Sequence, residues 1–228
     1  MKRVVVIVGV SRGLGLEFAT QYLADGWRVV GTVRHESDAA PLRKLGINDV
    51  FILDVRNEDD FEEFAAALKK RGIVPNVIIH NAGVNIRPNV TFAETNFADW
   101  EHTLGVNVVG AVGTARYLVP LLATGTEAKA VFLSSELGSI TQCFGGMLPY
   151  RASKAALNML VKSLSIEQAP RKVVCLALHP GWVKTDMGGP EAPLEAPDSI
   201  RQMRATIANA TMADNGAYLD YRGEKLPF

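Results

Sequence analysis

The chain has 228 residues, 48% of them hydrophobic, and its 24 Lys and Arg balance 24 Asp and Glu to a formal net charge of zero. That length fits one large α/β domain, the apolar share can fill its core, and charge neutrality argues against a nucleic-acid or membrane-surface partner. Cys143 and Cys175 are too few for a disulfide framework and form no metal-ligand spacing, so a reducing, cytoplasmic setting without a bound metal is expected.

The start, Met1-Lys2-Arg3 and an apolar run from Val4 to Val10, superficially resembles a leader. The run is short, Ser11-Arg12 breaks it, and no small-residue cleavage site follows, so Val4 to Val8 reads as a buried strand. A helical pattern then covers Leu16 to Ala24. Arg28 to Val33 reads as a second strand, Ala39 to Leu45 as a short helix ended by Gly46, and Val50 to Leu53 as a third strand with Asp54 at its end. Asp59 to Lys70 is helical, Val77 to Ile79 a fourth strand, and Phe97 to Leu122 a long helix bent near Pro120. Ala130 to Leu133, Val173 to Leu178 and Ala217 to Leu219 are the remaining strands, with helices over Tyr150 to Gln168 and Ser199 to Asn209. Gly188 to Pro197, within a substrate loop spanning about 186–210, has the Gly/Pro/Ala content of a lid. No run approaches the roughly 18 apolar residues of a membrane span. Strand–helix alternation predicts one Rossmann-type domain over 1–228. It would hold a doubly wound parallel sheet of about seven strands with helices on both faces.

Two stretches carry chemistry. Gly9, Gly13 and Gly15 lie between the first strand and the first helix, where glycines let the backbone turn tightly and approach a phosphate at the helix N-terminus. Tyr150 and Lys154, four residues apart, share a helix face. A lysine cation beside a tyrosine favours the phenolate, which predicts a Tyr150 pKa lowered from its usual value and a proton donor usable near neutral pH.

Gly9-xxx-Gly13-x-Gly15 with Tyr150-xxx-Lys154, Asn81-Ala82-Gly83, Asn107, Ser134-Ser135 and Pro180-Gly181 in this order resembles the short-chain dehydrogenase/reductase family. The loop after Pro180 and the ending Asp220 to Phe228 look like its C-factor or sniffer-type carbonyl reductase subgroup. By that resemblance Tyr150 donates a proton to a carbonyl oxygen, Lys154 holds the nicotinamide ribose, Ser135 steadies the substrate oxygen, and Asn107 fixes a water linking Lys154 to solvent. Ser135 is favoured over Ser139 because it directly follows a strand, although it lies fifteen residues before Tyr150. The implied cofactor-binding set is Gly9, Ser11, Arg12, Gly13, Leu14, Gly15, Arg34, Asp54, Val55, Asn81, Ala82, Gly83, Tyr150, Lys154, Pro180, Gly181, Val183 and Thr185. Within it Asp54 meets the adenine amino group and Thr185 the nicotinamide end. The second strand ends in Arg34-His35 rather than an acid, and Arg12 adds a cation, so NADP(H) is expected over NAD(H).

Val8 and His80 replace a threonine and an asparagine common in the family, which touches loop anchoring rather than chemistry. Met147, Leu148, Phe144 and Trp182 are candidates for an apolar substrate pocket. The expected activity is NADPH-dependent reduction of a small aldehyde, ketone or quinone. The alternatives are an NADP(H)-binding signalling or sensor protein, or an oxidative alcohol dehydrogenase. The family implies a homodimer or homotetramer built through two long helices. The small residues Gly105, Gly110, Ala111, Gly113 and Ala115 suit close packing, either against a partner or against the sheet.

Overall fold

Val4–Val8 forms a strand buried at every position, as its unbroken β-branched run requires. In the computed structural model, which describes residues 2–86, 90–124 and 128–228, this strand (β1) lies inside a seven-stranded parallel sheet. The others are β2 (Arg28–Val33), β3 (Asp49–Ile52), β4 (Val77–His80), β5 (Ala128–Leu133), β6 (Val173–His179) and β7 (Ala217–Asp220), in the order β3-β2-β1-β4-β5-β6-β7. The order reverses direction between β1 and β4, where Val5 pairs with Val77 and Val8 with His80. Ligands of open α/β sheets bind outside the carboxyl ends of the strands at such a point.

Alternate residues of each strand feed opposite faces. Val4, Val6 and Val8 join Phe61, Leu118 and Leu157 in one core, packed under α3 (Glu58–Lys70) and α6 (Leu148–Gln168). Val5 and Ile7 join Phe18, Leu42 and Ile200 in the other, under α1 (Gly13–Ala24), α2 (Glu36–Lys44) and α7 (Ala196–Asn209).

The long helix is one rod, Phe97–Leu121, but not a regular one. α4 (Phe97–Leu104) passes through a widened π turn at Gly105–Val109 into the single turn α5 (Gly110–Gly113). A second wide turn, Thr114–Leu118, leads to a tightened one at Val119–Leu121, where Pro120 sits. The rod is long and apolar enough to cross a membrane, with a mean hydropathy of 1.3. Counting consecutive apolar residues missed this because polar residues such as Asn107 and Thr114 interrupt the run. Its Val106, Ala111, Leu118 and Val119 are buried in the fold.

The small residues of this rod face inward. A side chain at Gly110 would meet Val55 at 2.8 Å, and one at Gly113 would run into the Phe61 ring. The segment expected to be a lid is also partly structured. Val183 pairs with Leu194 in a parallel bridge, and α7 occupies most of 196–209. α2 begins three residues earlier than expected, which brings Asp38 into its first turn.

Gly113→Ala is expected to cost about 1–3 kcal/mol of stability by overpacking against Phe61. Gly105→Ala, whose new methyl would meet only the Arg56 stem at 3.9 Å, should be neutral or mildly stabilising. Thermal or urea unfolding of the two variants checks the contrast.

Candidate active site

A cavity of about 560 Å³ opens at the carboxyl ends of the strands, at the switch point. Its floor is the turn from β1 to α1. Gly9 and Gly13 adopt the left-handed backbone region, at φ 89° and 56°, which favours glycine. A side chain at Gly15 would overlap the Gly9 carbonyl. Asn81 Nδ2 donates to that same carbonyl at 2.7 Å, tying the turn to the end of β4. The anchor that Val8 cannot supply comes from the neighbouring strand, where Thr32 Oγ1 accepts the Gly9 N–H at 3.1 Å. α1 starts without a side-chain cap and without an acid in its first turn. Its free N–H groups and positive dipole end therefore suit an anion.

One wall carries three arginines. Arg12, Arg34 and Arg56 all line the cavity, together with His35, Asp38, Asp54 and Val55. Arg56 grips both carboxylate oxygens of Asp54, at 2.9 and 3.3 Å, and this holds Asp54 below the usual carboxylate range. Arg12 is paired with Asp186 of the loop after β6, so that pair reaches across the cavity. Thr185 and Met187 flank Asp186, and Thr185 stands 3.8 Å from where a Gly13 side chain would begin.

The other end holds Tyr150 and Lys154, on the first turns of α6. Lys154 is buried, and its Nζ donates to the Leu133 carbonyl at 2.7 Å. Burial pushes the amine down to about 8. The Tyr150 phenol departs from the expected direction. Burial pushes it up to about 12, and the Ser135 hydroxyl is the influence that opposes this. Lys154 does not pull it down in this arrangement, because its ammonium is turned to Leu133 and lies 5.6 Å from the centre of the Tyr150 ring. Ser139, the rival serine, is buried, and its Oγ accepts the Gln142 N–H at 3.2 Å.

Several residues of the expected set frame the cavity without lining it. Asn107 sits in the widened turn, where it accepts the Val84 N–H at 2.7 Å and donates to the Val84 carbonyl at 2.8 Å and to Ser153 at 2.9 Å. Gly181 (φ 83°) packs against Leu194 and Tyr221, and Val183 is buried behind the loop. Gly15 and Ser135 do not line the cavity, nor do Phe144 and Trp182, which are exposed; Met187 is the apolar side chain that lines it from the loop after β6. His80 is buried, shares a hydrogen bond of 2.8 Å with Thr114, and is pushed down to about 3, so it stays neutral.

Sequence reasoning missed Thr32, Asp38, Arg56 and Asp186. Arg56 and Asp186 directly follow Val55 and Thr185, so extending each motif by a single residue would have found them. Thr32 and Asp38 needed the strand register and the true start of α2.

The chain belongs to the short chain dehydrogenase family, whose sequence pattern matches residues 3–195. It is thus placed among the oxidoreductases of that family. The C-signal protein of Myxococcus xanthus is 38% identical over 154 residues, 67% of this chain and 92% of its own length. Carbonyl reductase Sniffer of D. melanogaster superposes with a TM-score of 0.93 at 32% identity, covering 100% of both chains. The NADPH-bound carbonyl reductase from chicken fatty liver does so with a TM-score of 0.90 at 30% identity, over 100% of this chain and 99% of its own.

Lys154→Met, which removes a buried ammonium that has no carboxylate partner among the described residues, should raise stability at neutral pH by about 1 kcal/mol. The folded-state amine is depressed, so the unfolded chain binds more protons between its pKa and that of free lysine. The cost of Lys154 is therefore fully present below about 8 and is relieved as pH rises toward 10.5. The variant's advantage in unfolding free energy should narrow over that window. A wild-type protein more stable than the variant at neutral pH would contradict the assignment.

Proposed function

We propose that the protein is an NADPH-dependent oxidoreductase that reduces a small carbonyl compound, an aldehyde, ketone or quinone, with Tyr150 as proton donor. The observation that carries this reading is the placement of Tyr150 and Lys154 at one end of a cavity whose other end is a glycine cradle rimmed by arginines. The cradle fits a dinucleotide: two glycines hold backbone angles that other residues avoid, the helix N-terminus is uncapped, and the wall beside it carries Arg12, Arg34 and Arg56. Bound NADPH would supply the hydride.

The chain's own residues supply the rest. A donor to a carbonyl oxygen must carry its proton, and a phenol raised to about 12 does so throughout the working pH range. The Ser135 hydroxyl donates to the same oxygen and steadies the charge that develops there. Lys154 spends one N–H on Leu133, which leaves its other donors for the ribose hydroxyls. The proton is replaced from solvent through Lys154 and a water held at the wide turn carrying Asn107. Arg12 and Arg34 recognise the 2′-phosphate, and Asp54 the adenine amino group. An intact Ser135, Tyr150 and Lys154 arrangement favours turnover over a sensor role.

The apolar residues Val109, Val112, Met159 and Ile166, exposed on the two long helices, suit contact with a second copy of the chain. A homodimer or homotetramer built on those helices follows from this reading.

The test is NADPH consumption with a panel of aldehydes, ketones and quinones, alongside NADPH and NADH binding followed by fluorescence. Turnover with at least one carbonyl and tighter binding of NADPH are expected. Ser135→Ala should lower kcat by about a hundredfold, from the scale of losing one oxyanion donor, and Ser139→Ala should change it little. Tight NADPH binding with no turnover on any carbonyl would overturn the reductase reading.

A further inference from the structure

We infer that Tyr218, on the last strand of the sheet, is a positioning residue that fixes the backbone of Ser135 and so aims its hydroxyl. The inference rests on the roles proposed above for Ser135 and Tyr150.

Ser135 lies just beyond the sheet. The β5–β6 pairing ends at Leu133 and Leu178, and Ser134 makes the last main-chain contact, its N–H donating to the Leu178 carbonyl at 2.8 Å. The Ser135 carbonyl has no strand neighbour to bind; within the short turn that follows it accepts the Gly138 N–H at 2.8 Å, and the residue is buried. A carbonyl oxygen has two lone pairs, and a bond from within the turn ties the serine to the turn but not to the sheet. Tyr218 supplies a second donor, from outside the turn: its phenol, reaching in from β7, hydrogen-bonds the Ser135 carbonyl oxygen. A phenylalanine could fill the same core volume, so the hydroxyl is what distinguishes this side chain.

The surroundings make that donor rigid. Tyr218 is 1% exposed, and burial pushes its phenol up, so it remains a donor at any working pH. The side chains of Asn158 and Ser134 lie beside the phenol. Ser134 Oγ donates to Asn158 Oδ1 at 2.6 Å, and Asn158 Nδ2 donates to the Gly138 carbonyl at 3.4 Å, which holds the far side of the short turn Glu136–Gly138 that Ser135 caps. The tail after β7 braces Tyr218 in turn. Leu226 N–H donates to the Tyr218 carbonyl at 2.8 Å, and the Phe228 ring packs on the Tyr218 ring at 5.6 Å. Thr141, in the loop that follows the turn, donates its N–H and its hydroxyl to the Phe228 carbonyl at 3.1 and 2.6 Å. One tyrosine thus joins the last strand, the tail and the serine turn.

The test is Tyr218→Phe, with kcat expressed per NADPH-binding site titrated by fluorescence, so that a partly unfolded preparation does not mimic a catalytic defect. The expected result is a fall in kcat of about tenfold, the scale of one hydrogen bond, with unchanged affinity for NADPH. The Ser135 hydroxyl favours the ionised form of Tyr150. The pH profile of the reverse, alcohol-oxidising reaction should therefore move to higher pH in the variant. In a Ser135→Ala background the same substitution should have no further effect on kcat, because no hydroxyl remains to be aimed. Wild-type kcat per site and pH profile in Tyr218→Phe, or an equal fall in the Ser135→Ala background, would overturn the inference. If Ser135→Ala alone leaves turnover intact, it is the proposed role of Ser135 that fails instead.

Discussion

The desolvation of Lys154 is the constraint on which the site depends. Its ammonium lies buried with a backbone carbonyl for company, and its amine is driven down to about 8. Folding alone would not select such a group, since an apolar side chain of similar length would pack there without a charge to dehydrate. Its surroundings are shaped to admit it. Gly83 has no side chain where one would begin 3.5 Å from Lys154 Nζ, and Asn107 pins Val84 at both its N–H and its carbonyl to keep the neighbouring loop clear. The cavity then gives the buried donor groups something to face.

Much of the fold was legible because its signals are local. β1 is an unbroken β-branched run, and α1 and α2 stop where Gly26 and Gly46 turn the chain. The strand–helix alternation implies parallel pairing, so a doubly wound sheet was expected, while the strand order is read from the structure. The long helix was legible only in outline. Its two widened turns depend on how the rod packs over Val55 and Phe61, residues far away in sequence, and no local pattern announces them. The same contacts show why its small residues are there: they let the rod lie close to α3 and the β3–α3 connection.

The site divides in the same way. Motif spacing brought Tyr150, Lys154, Asn81 and the glycine turn to one cavity, because each sits at the end of a strand or the start of a helix. It misjudged the electrostatics of the pair. Proximity in sequence suggested that the lysine would acidify the tyrosine, whereas burial dominates both groups and the lysine points at Leu133. Nor could spacing reveal Thr32 as the substitute anchor for Gly9, or Tyr218 as the donor to Ser135. Both bonds link residues brought together only by the sheet, one across neighbouring strands and the other from the strand at its edge.

The central claim is that the Tyr150 hydroxyl delivers the proton during carbonyl reduction. It is tested most directly by measuring NADPH consumption by Tyr150→Phe under saturating carbonyl, at cofactor occupancy matched to the wild type. The account predicts that the variant binds NADPH as the wild type does and loses turnover. Carbonyl reduction at the wild-type rate would contradict it.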